Sequence, residues 1–269
     1  MSAIEWRQLR QGQGAEAIVV VDFGINRQAA FFAELIAQID TGRHVLQPLV
    51  HTAGDEMLRR TADEHVASWI SELSARGLRV SGILGYCAGS TLAAILARSL
   101  AGKRTPAPTV LLDPTNVNPE DLYETFDLAV ARFEGVVGAD AQGYIAEVRD
   151  QRADGIARFA REPIAVTDAL CHAYDQVVRV VGTELRMSDD MPRQLSAYFR
   201  SYLNYLTLTS VARLPARPEP ATTVLTSTDH ILPAGWSATR TFPVARDNLL
   251  STREVVVGVT EILFKIGQS

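Results

Sequence analysis

The stretch from residue 81 to residue 101 constrains the fold of this chain more than any other part of the sequence. A short apolar run leads to Cys87, which stands between Gly85 and Gly89, and a run with the composition of a helix follows. Glycines on both sides of a central residue let a strand and a helix approach too closely for a β-carbon, so the central side chain is pushed out at the end of the sheet. The sequence predicts a strand, a sharp turn at Cys87 and a helix. A buried structural cysteine at a tight turn is the alternative.

A turn of this kind gives a thiol the surroundings of a nucleophile. The following helix directs its N-terminal N–H groups and the positive end of its dipole at the sulfur, which favours the thiolate. The N–H of Ala88 is placed to donate a hydrogen bond to an oxyanion. A second N–H would come from the loop after the preceding buried strand, where the backbone of Ile25 or Asn26 is the candidate donor.

Strand and helix patterns alternate through the first 117 residues. An edge strand is predicted at 4–10, buried strands at 17–21, 45–50 and 109–113, and helices at 29–39 and 61–77. Because the connections between these elements are short, the sequence predicts an α/β core with a parallel sheet and right-handed crossovers.

The alternation stops at residue 118. Only helical periodicity is found from 118 to 208, and the sheet resumes with strands predicted at 221–226 and 241–244 and a closing helix at 254–264. We therefore expect an α/β core made of residues 1–117 and 209–269, with residues 118–208 inserted as an all-helical lid. An insertion at this point is placed to cover the nucleophile with an apolar pocket.

The composition excludes several classes of protein. Two cysteines, Cys87 and Cys171, provide no disulfide framework, and no Cys/His spacing is typical of a metal site. A net charge of −5 without a basic stripe argues against a nucleic-acid partner. No run approaches the roughly 20 apolar residues of a membrane span, and the first ten residues lack a signal-peptide core. We expect a cytoplasmic protein that does not bind membranes.

The partners of the thiol are only partly apparent. Asp113 ends the strand that follows the turn unit, where a carboxylate would orient a catalytic base; capping of the next loop is the alternative. The histidine that usually completes such a site would stand just before the closing helix, and Asn248 occupies that position. An amide can hold a group by hydrogen bonds, but it cannot take up a proton.

Three of the five histidines are candidates for the missing base. His230 follows the penultimate predicted strand and is the best placed of them. His51 follows a strand whose end is expected near the turn, and His172 lies in the helical insertion. If none of them reaches Cys87, a thiol with an ordinary pKa of about 8.5 still forms useful thiolate, whereas activation of water would be slow. The sequence therefore favours acyl transfer to a reactive nucleophile over hydrolysis.

Residues 84–96, Asp113, the long helical insertion and the final Asp-Asn-Leu-Leu segment resemble the stand-alone and terminal thioesterases of polyketide and nonribosomal peptide assembly lines. The resemblance implies the α/β-hydrolase fold, with a mostly parallel, doubly wound sheet and an all-helical lid. Gly-Tyr-Cys-x-Gly is also similar to dienelactone hydrolases and polyhydroxyalkanoate synthases. Both of these keep a late histidine, which this chain lacks.

A thioesterase-like chain with a cysteine nucleophile most resembles the Dieckmann cyclases that release tetramate or pyridone rings. The resemblance implies that Cys87 takes a β-ketoamide chain from the phosphopantetheine arm of an acyl or peptidyl carrier protein. The acidic carbon of the substrate then attacks the acyl thioester and closes the ring. Asp113, with His230 or Asn248, would position groups for proton transfer, and no other cofactor is implied.

Two other functions stay open. An editing thioesterase with a displaced histidine would hydrolyse simple acyl thioesters. A non-catalytic protein that binds acyl chains or carriers would form no adduct at Cys87. An acidic carrier protein would meet basic groups such as Arg98, Lys103 and Arg104, although clusters of this kind are usually only solvated surface.

Overall fold

A computed structural model describes residues 5–23, 32–49, 57–101, 106–133, 135, 138–188 and 190–264. Several predictions fall outside these ranges, among them the roles of Ile25, Asn26 and His51 and the basic residues Lys103 and Arg104. They stay predictions.

The described strands form one seven-stranded sheet. The strands are β1 (Trp6–Arg10), β2 (Glu16–Val21), β3 (His44–Pro48), β4 (Arg79–Tyr86), β5 (Thr109–Leu112), β6 (Thr222–Thr226) and β7 (Arg240–Thr241). Their order across the sheet is β1-β3-β2-β4-β5-β6-β7. Only β1 runs antiparallel to its neighbour, and the other five pairs are parallel. The predicted mostly parallel sheet is confirmed.

The order of the strands places the candidate nucleophile. Strand β3 pairs with one edge of β2, and the next strand in the chain, β4, pairs with the other edge of β2. Loops at the carboxyl ends of two such strands diverge and leave a crevice, which is where ligands bind in open α/β sheets. Cys87 directly follows β4, so it lies at this crevice.

The described helices are α1 (Phe32–Gln38), α2 (Ala62–Ala75), α3 (Gly89–Ala101), α4 (Pro119–Ala131), α5 (Ala139–Asp150), α6 (Arg152–Phe159), α7 (Pro163–Glu184), α8 (Asp190–Ala212) and α9 (Arg253–Phe264). A 3-10 helix, Arg246–Asn248, precedes α9. Helix α2 begins with the capping box that Thr61 and Glu64 form, and the two hydrogen bonds from Thr61 hold the pKa of Glu64 below its ordinary value.

The packing divides the chain into two units. The first comprises residues 1–50, 60–116 and 212–269, and the second comprises 51–59 and 117–211. The predicted boundaries of the helical insertion, residues 118 and 208, rest on helical periodicity in the sequence alone. The predicted placement of the helical insertion over the nucleophile stays a prediction.

Each unit has its own core. In the first unit, every residue from Ala17 to Val21 in β2 is fully buried, because the strand is covered on both faces. In the second unit, Tyr174 stacks on Phe199 with ring centroids 4.0 Å apart, and the hydroxyls of Thr167 and Thr207 lie 2.6 Å apart. No helix in the described ranges is long and apolar enough to cross a bilayer.

Candidate active site

The backbone at Cys87 has the conformation of a nucleophile elbow. Its φ is +52°, in the left-handed region that residues with a side chain seldom adopt. The strain is maintained by hydrogen bonds on both sides of the turn: the N–H of Cys87 donates to the carbonyl of Leu112 at 3.0 Å, and its carbonyl accepts from Ser90 at 3.1 Å. The turn is therefore fastened to both β5 and α3.

The close approach of strand and helix accounts for Gly85. A β-carbon at this position would lie 2.6 Å from Cβ of Ala93, 2.9 Å from Cα of Ser90 and 3.0 Å from Cδ2 of Leu111. Real β-carbons do not make contacts this short with backbone or with another β-carbon, so β4 and α3 meet here only because Gly85 has no side chain. The thiol of Cys87 is half-buried.

An arginine that the sequence analysis did not select contacts the thiol. Nη2 of Arg246, in the 3-10 helix before α9, lies 2.7 Å from Sγ of Cys87. The carbonyl of the same arginine accepts a hydrogen bond from the hydroxyl of Tyr86, which is buried, at 3.5 Å. Tyr86 is the last residue of β4 and immediately precedes Cys87.

Arg246 can supply charge at this position but cannot act as a base. Burial of the guanidinium works to lower its pKa, but the charge interactions with Cys87, Tyr86 and Asp113 and a side-chain hydrogen bond with Tyr86 outweigh burial, and the pKa is raised above its ordinary value. An arginine stays protonated throughout the range of pH in which proteins are stable. The group beside the sulfur therefore favours an anion there and accepts no proton from it.

Asp113 is fully buried at the end of β5, and its φ is +44°. The backbone N–H of Ser227 donates to Oδ1 and the hydroxyl of Ser227 donates to Oδ2, both at 2.8 Å. Ser227 is the first residue after β6 and is buried as well. These contacts bind the carboxylate to the loop after β6 and not to the loop that follows Asp113 itself. A carboxylate oxygen that accepts one hydrogen bond can still accept a second.

His230 lies in the same loop and is held to Pro114, the residue after Asp113. Its Nε2 lies 2.9 Å from the carbonyl oxygen of Pro114. Because a carbonyl only accepts, Nε2 must carry the hydrogen, and Nδ1 is the nitrogen that can accept a proton. No hydrogen bond within the described ranges joins His230 to Cys87.

Asn248 is exposed and contributes its backbone to the start of α9. Its carbonyl oxygen accepts hydrogen bonds from the hydroxyls of Ser251 at 3.1 Å and Thr252 at 2.7 Å. Among the described residues, no hydrogen bond connects its side chain to Cys87. The loop in which a histidine was expected does reach the thiol, but through Arg246, two positions earlier.

Ala88 is buried, and no hydrogen bond in the described part of the chain uses its N–H as donor. The N–H of Ala88 is therefore available to hold an oxyanion, and this role stays a prediction. The described residues include no group of three or more His, Cys, Asp or Glu side chains that could hold a metal ion. Cys171 is buried within α7.

No protein-family model and no curated protein matches this chain. Solved structures do. One is a protein assigned to the alpha/beta hydrolase family from Desulfitobacterium hafniense, which has 13% sequence identity and a TM-score of 0.52 over 96% of this chain and 100% of that one.

Two thioesterase domains are similar at a TM-score of 0.49. The Vlm2 domain, bound with a dodecadepsipeptide, has 17% identity over 97% of each chain. The NocB domain, in covalent complex with a fluorophosphonate nocardicin G analog, has 14% identity over 98% of this chain and 100% of that one. With the sheet order and the turn at Cys87, the likeness to the Desulfitobacterium hafniense protein confirms that this chain has the α/β-hydrolase fold.

Proposed function

We propose that this chain is a cysteine-dependent acyltransferase that releases a β-ketoamide chain from a carrier-protein thioester by Dieckmann cyclisation, giving a tetramate or pyridone-type ring. The observation that carries the proposal is the contact between Arg246 and Sγ of Cys87 at the elbow. A thiolate held by a fixed cation is ready to attack, yet the cation cannot activate water for hydrolysis.

The first step is acyl transfer to Cys87. The thiolate attacks the thioester carbonyl, the N–H of Ala88 donates to the developing oxyanion, and the pantetheine thiolate leaves. The nucleophile in this step is the thiolate, and the positive charge of Arg246 beside Sγ stabilises that anion. The sulfur of the new thioester donates little electron density to the carbonyl, so the acyl group stays open to a second attack.

The second step decides the product. Release by water needs a base within reach of the acyl carbonyl, and the group that contacts the nucleophile is an arginine. A carbon between two carbonyl groups loses its proton to solvent far more readily than water does, so it can attack as an enolate without such a base. We therefore infer ring closure by the substrate's own carbon, with the acyl or peptidyl carrier protein as the partner that delivers it.

One observation favours a second candidate, an editing thioesterase. The hydrogen bond from Nε2 of His230 to the carbonyl of Pro114 leaves Nδ1 able to take up a proton. If this nitrogen serves as the base for water, replacement of His230 by Gln abolishes release of free acid but leaves acylation of Cys87 intact. If His230 only fastens its loop, the same variant keeps the ratio of products.

The test is intact-protein mass spectrometry with product analysis, using an N-(β-ketoacyl)aminoacyl thioester of a short pantetheine analogue. Wild type, Cys87→Ala and Cys171→Ala are compared, because Cys171 is the second thiol of the chain. The proposal expects an adduct in wild type and Cys171→Ala, none in Cys87→Ala, and a cyclic product without added water. Free acid as the product indicates a thioesterase. No adduct with any donor indicates a binding protein.

A further inference from the structure

The positive charge of Arg246 takes part only in the first step of the proposed mechanism. Its Nη2 lies 2.7 Å from Sγ of Cys87, and in the proposed mechanism this sulfur attacks as the thiolate. Acylation converts that sulfur into a neutral thioester. The guanidinium then keeps its positive charge but has lost the anion that it contacted, at the moment when the substrate must form a carbanion a few bonds away.

We propose that Arg246 holds two anions in turn, first the Cys87 thiolate and then the enolate of the acyl chain, and that it restricts the substrates to chains with a 1,3-dicarbonyl group. This inference rests on the proposed function and deepens it. It assigns a catalytic residue and a substrate class to the same site.

The geometry of ring closure brings the enolate to the guanidinium. The attacking carbon must come within about 3.5 Å of the carbonyl carbon that is bonded to Sγ. The enolate oxygens are one bond away from the two carbons next to that attacking carbon. They therefore lie only a few ångströms from Sγ, within reach of a side chain whose nitrogen contacts the sulfur.

The shape of the two groups also matches. A deprotonated 1,3-dicarbonyl presents two oxygens side by side, as a carboxylate does, and a guanidinium binds such pairs with two parallel N–H donors. Arg246 donates one hydrogen to Sγ and also forms a side-chain hydrogen bond with Tyr86, whereas a guanidinium has five hydrogens in all. A saturated acyl chain has no second oxygen and forms no enolate, so it gains nothing from this contact.

The described carboxylates near Arg246 have other partners or lie exposed. Asp113 acts on Arg246 only through its charge, and both of its oxygens accept hydrogen bonds from Ser227 in a fully buried position. Asp247, the residue after Arg246, is exposed. Within the described ranges, no carboxylate is hydrogen-bonded to Arg246. An incoming enolate therefore has no such carboxylate to displace.

The steps balance. In acylation, the bond from Sγ to the acyl carbon forms, and the bond from that carbon to the pantetheine sulfur breaks. The methylene then loses its proton, which solvent carries to the pantetheine thiolate, and the enolate is held by Arg246. In ring closure, the carbon–carbon bond forms and the bond to Sγ breaks. The thiolate returns with its electron pair, and Arg246 pairs with it again.

The experiment separates the two steps. Wild type, Arg246→Gln and Arg246→Lys are loaded with excess thioester at about pH 9, where a thiol ionises without assistance. They are then moved to pH 7.5, and decay of the acyl-enzyme is followed by intact mass. Each protein is loaded both with the N-(β-ketoacyl)aminoacyl chain and with a chain of equal length in which a methylene replaces the keto carbonyl. Arg253→Gln is the matched control, because it removes an exposed arginine at the start of α9.

For the β-keto chain, we expect Arg246→Gln to slow ring closure roughly 100-fold and Arg246→Lys to slow it roughly tenfold, since lysine keeps the charge without the paired donors. For the saturated chain, all four proteins should lose the acyl group at the same slow rate. Closure of the β-keto chain at the wild-type rate in Arg246→Gln would overturn the inference and leave the proposed function standing. Absence of both an adduct and a cyclic product in wild type, with either chain, would overturn both.

Discussion

The buried pair of Asp113 and Ser227 makes the most direct test of how this site is built. The carboxylate accepts two hydrogen bonds of 2.8 Å from one buried serine, and its backbone has a φ of +44°. Replacement of Asp113 by Ala removes both acceptors and leaves two donors without partners. It also places alanine in a left-handed conformation that asparagine or aspartate tolerates better.

The expected cost follows from these contacts. Hydrogen bonds to a charged group contribute about 1.5 kcal/mol or more each, and the conformation adds about 1 kcal/mol, so Asp113→Ala should lose about 4 kcal/mol of unfolding free energy. Asp113→Asn should lose only about 1 kcal/mol, because its oxygen accepts from the N–H of Ser227 and its amide donates to the hydroxyl.

Urea denaturation measures both losses of unfolding free energy. The rate at which a thioester acylates Cys87 measures the reactivity of the site. If Asp113 only fastens the loop after β6, Asp113→Asn acylates within about threefold of wild type. A stable Asp113→Asn that acylates 100-fold more slowly would show that the carboxylate acts on the chemistry. An Asp113→Ala protein within about 1 kcal/mol of wild type would refute the structural reasoning itself.

Three further predictions concern charge, packing and ionisation. Arg246→Gln should lower the rate at which iodoacetamide alkylates the contacted thiol at pH 7 by about fivefold, since an exposed, charge-assisted contact contributes about 1 kcal/mol, whereas Arg253→Gln should leave it unchanged. Gly85→Ala should lower the unfolding free energy by about 1–3 kcal/mol because its β-carbon lies 2.6 Å from another, and Gly143→Ala, whose β-carbon meets nothing within 4 Å, should not lower it. Burial raises the pKa of Tyr174 to about 12, so an ultraviolet titration should find it un-ionised at pH 11 in the folded protein. Its contribution to stability is present below pH 10 and is lost as the pH rises from 10 to 12, by up to about 3 kcal/mol in urea denaturation.

Local patterns in the sequence were sufficient to predict the sheet and the elbow. The run at Ala17 to Val21 is apolar throughout because β2 is buried on both faces, and this is visible without the structure. The turn at Cys87 is also a local property, since Gly85 stands two residues from the thiol and allows the close contact between β4 and α3. The position of Asp113 at the end of β5 follows from the same alternation of strand and helix.

The partners of the thiol could not be predicted in the same way. Arg246 is 159 positions from Cys87 in the chain, and Ser227 is 114 positions from Asp113. Contacts of this separation depend on the order of the strands and on the path of a loop. The sequence indicated the correct loop, before α9, but the search there was for a base, and a cation was overlooked.

Cysteine and arginine at this site are a chemically matched pair. A serine hydroxyl has so high a pKa that a neighbouring cation alone does not ionise it, and it needs a base that accepts its proton during attack. A thiol needs only a favourable charge, which Arg246 supplies at 2.7 Å. The arginine in turn offers no proton acceptor to water. Under the proposed function, an acyl group on Cys87 is therefore released by a carbon that loses its proton readily, unless His230 activates water. The choice between hydrolysis and ring closure then depends on the acidity of the substrate, because the group that contacts the thiol is a cation and not a base.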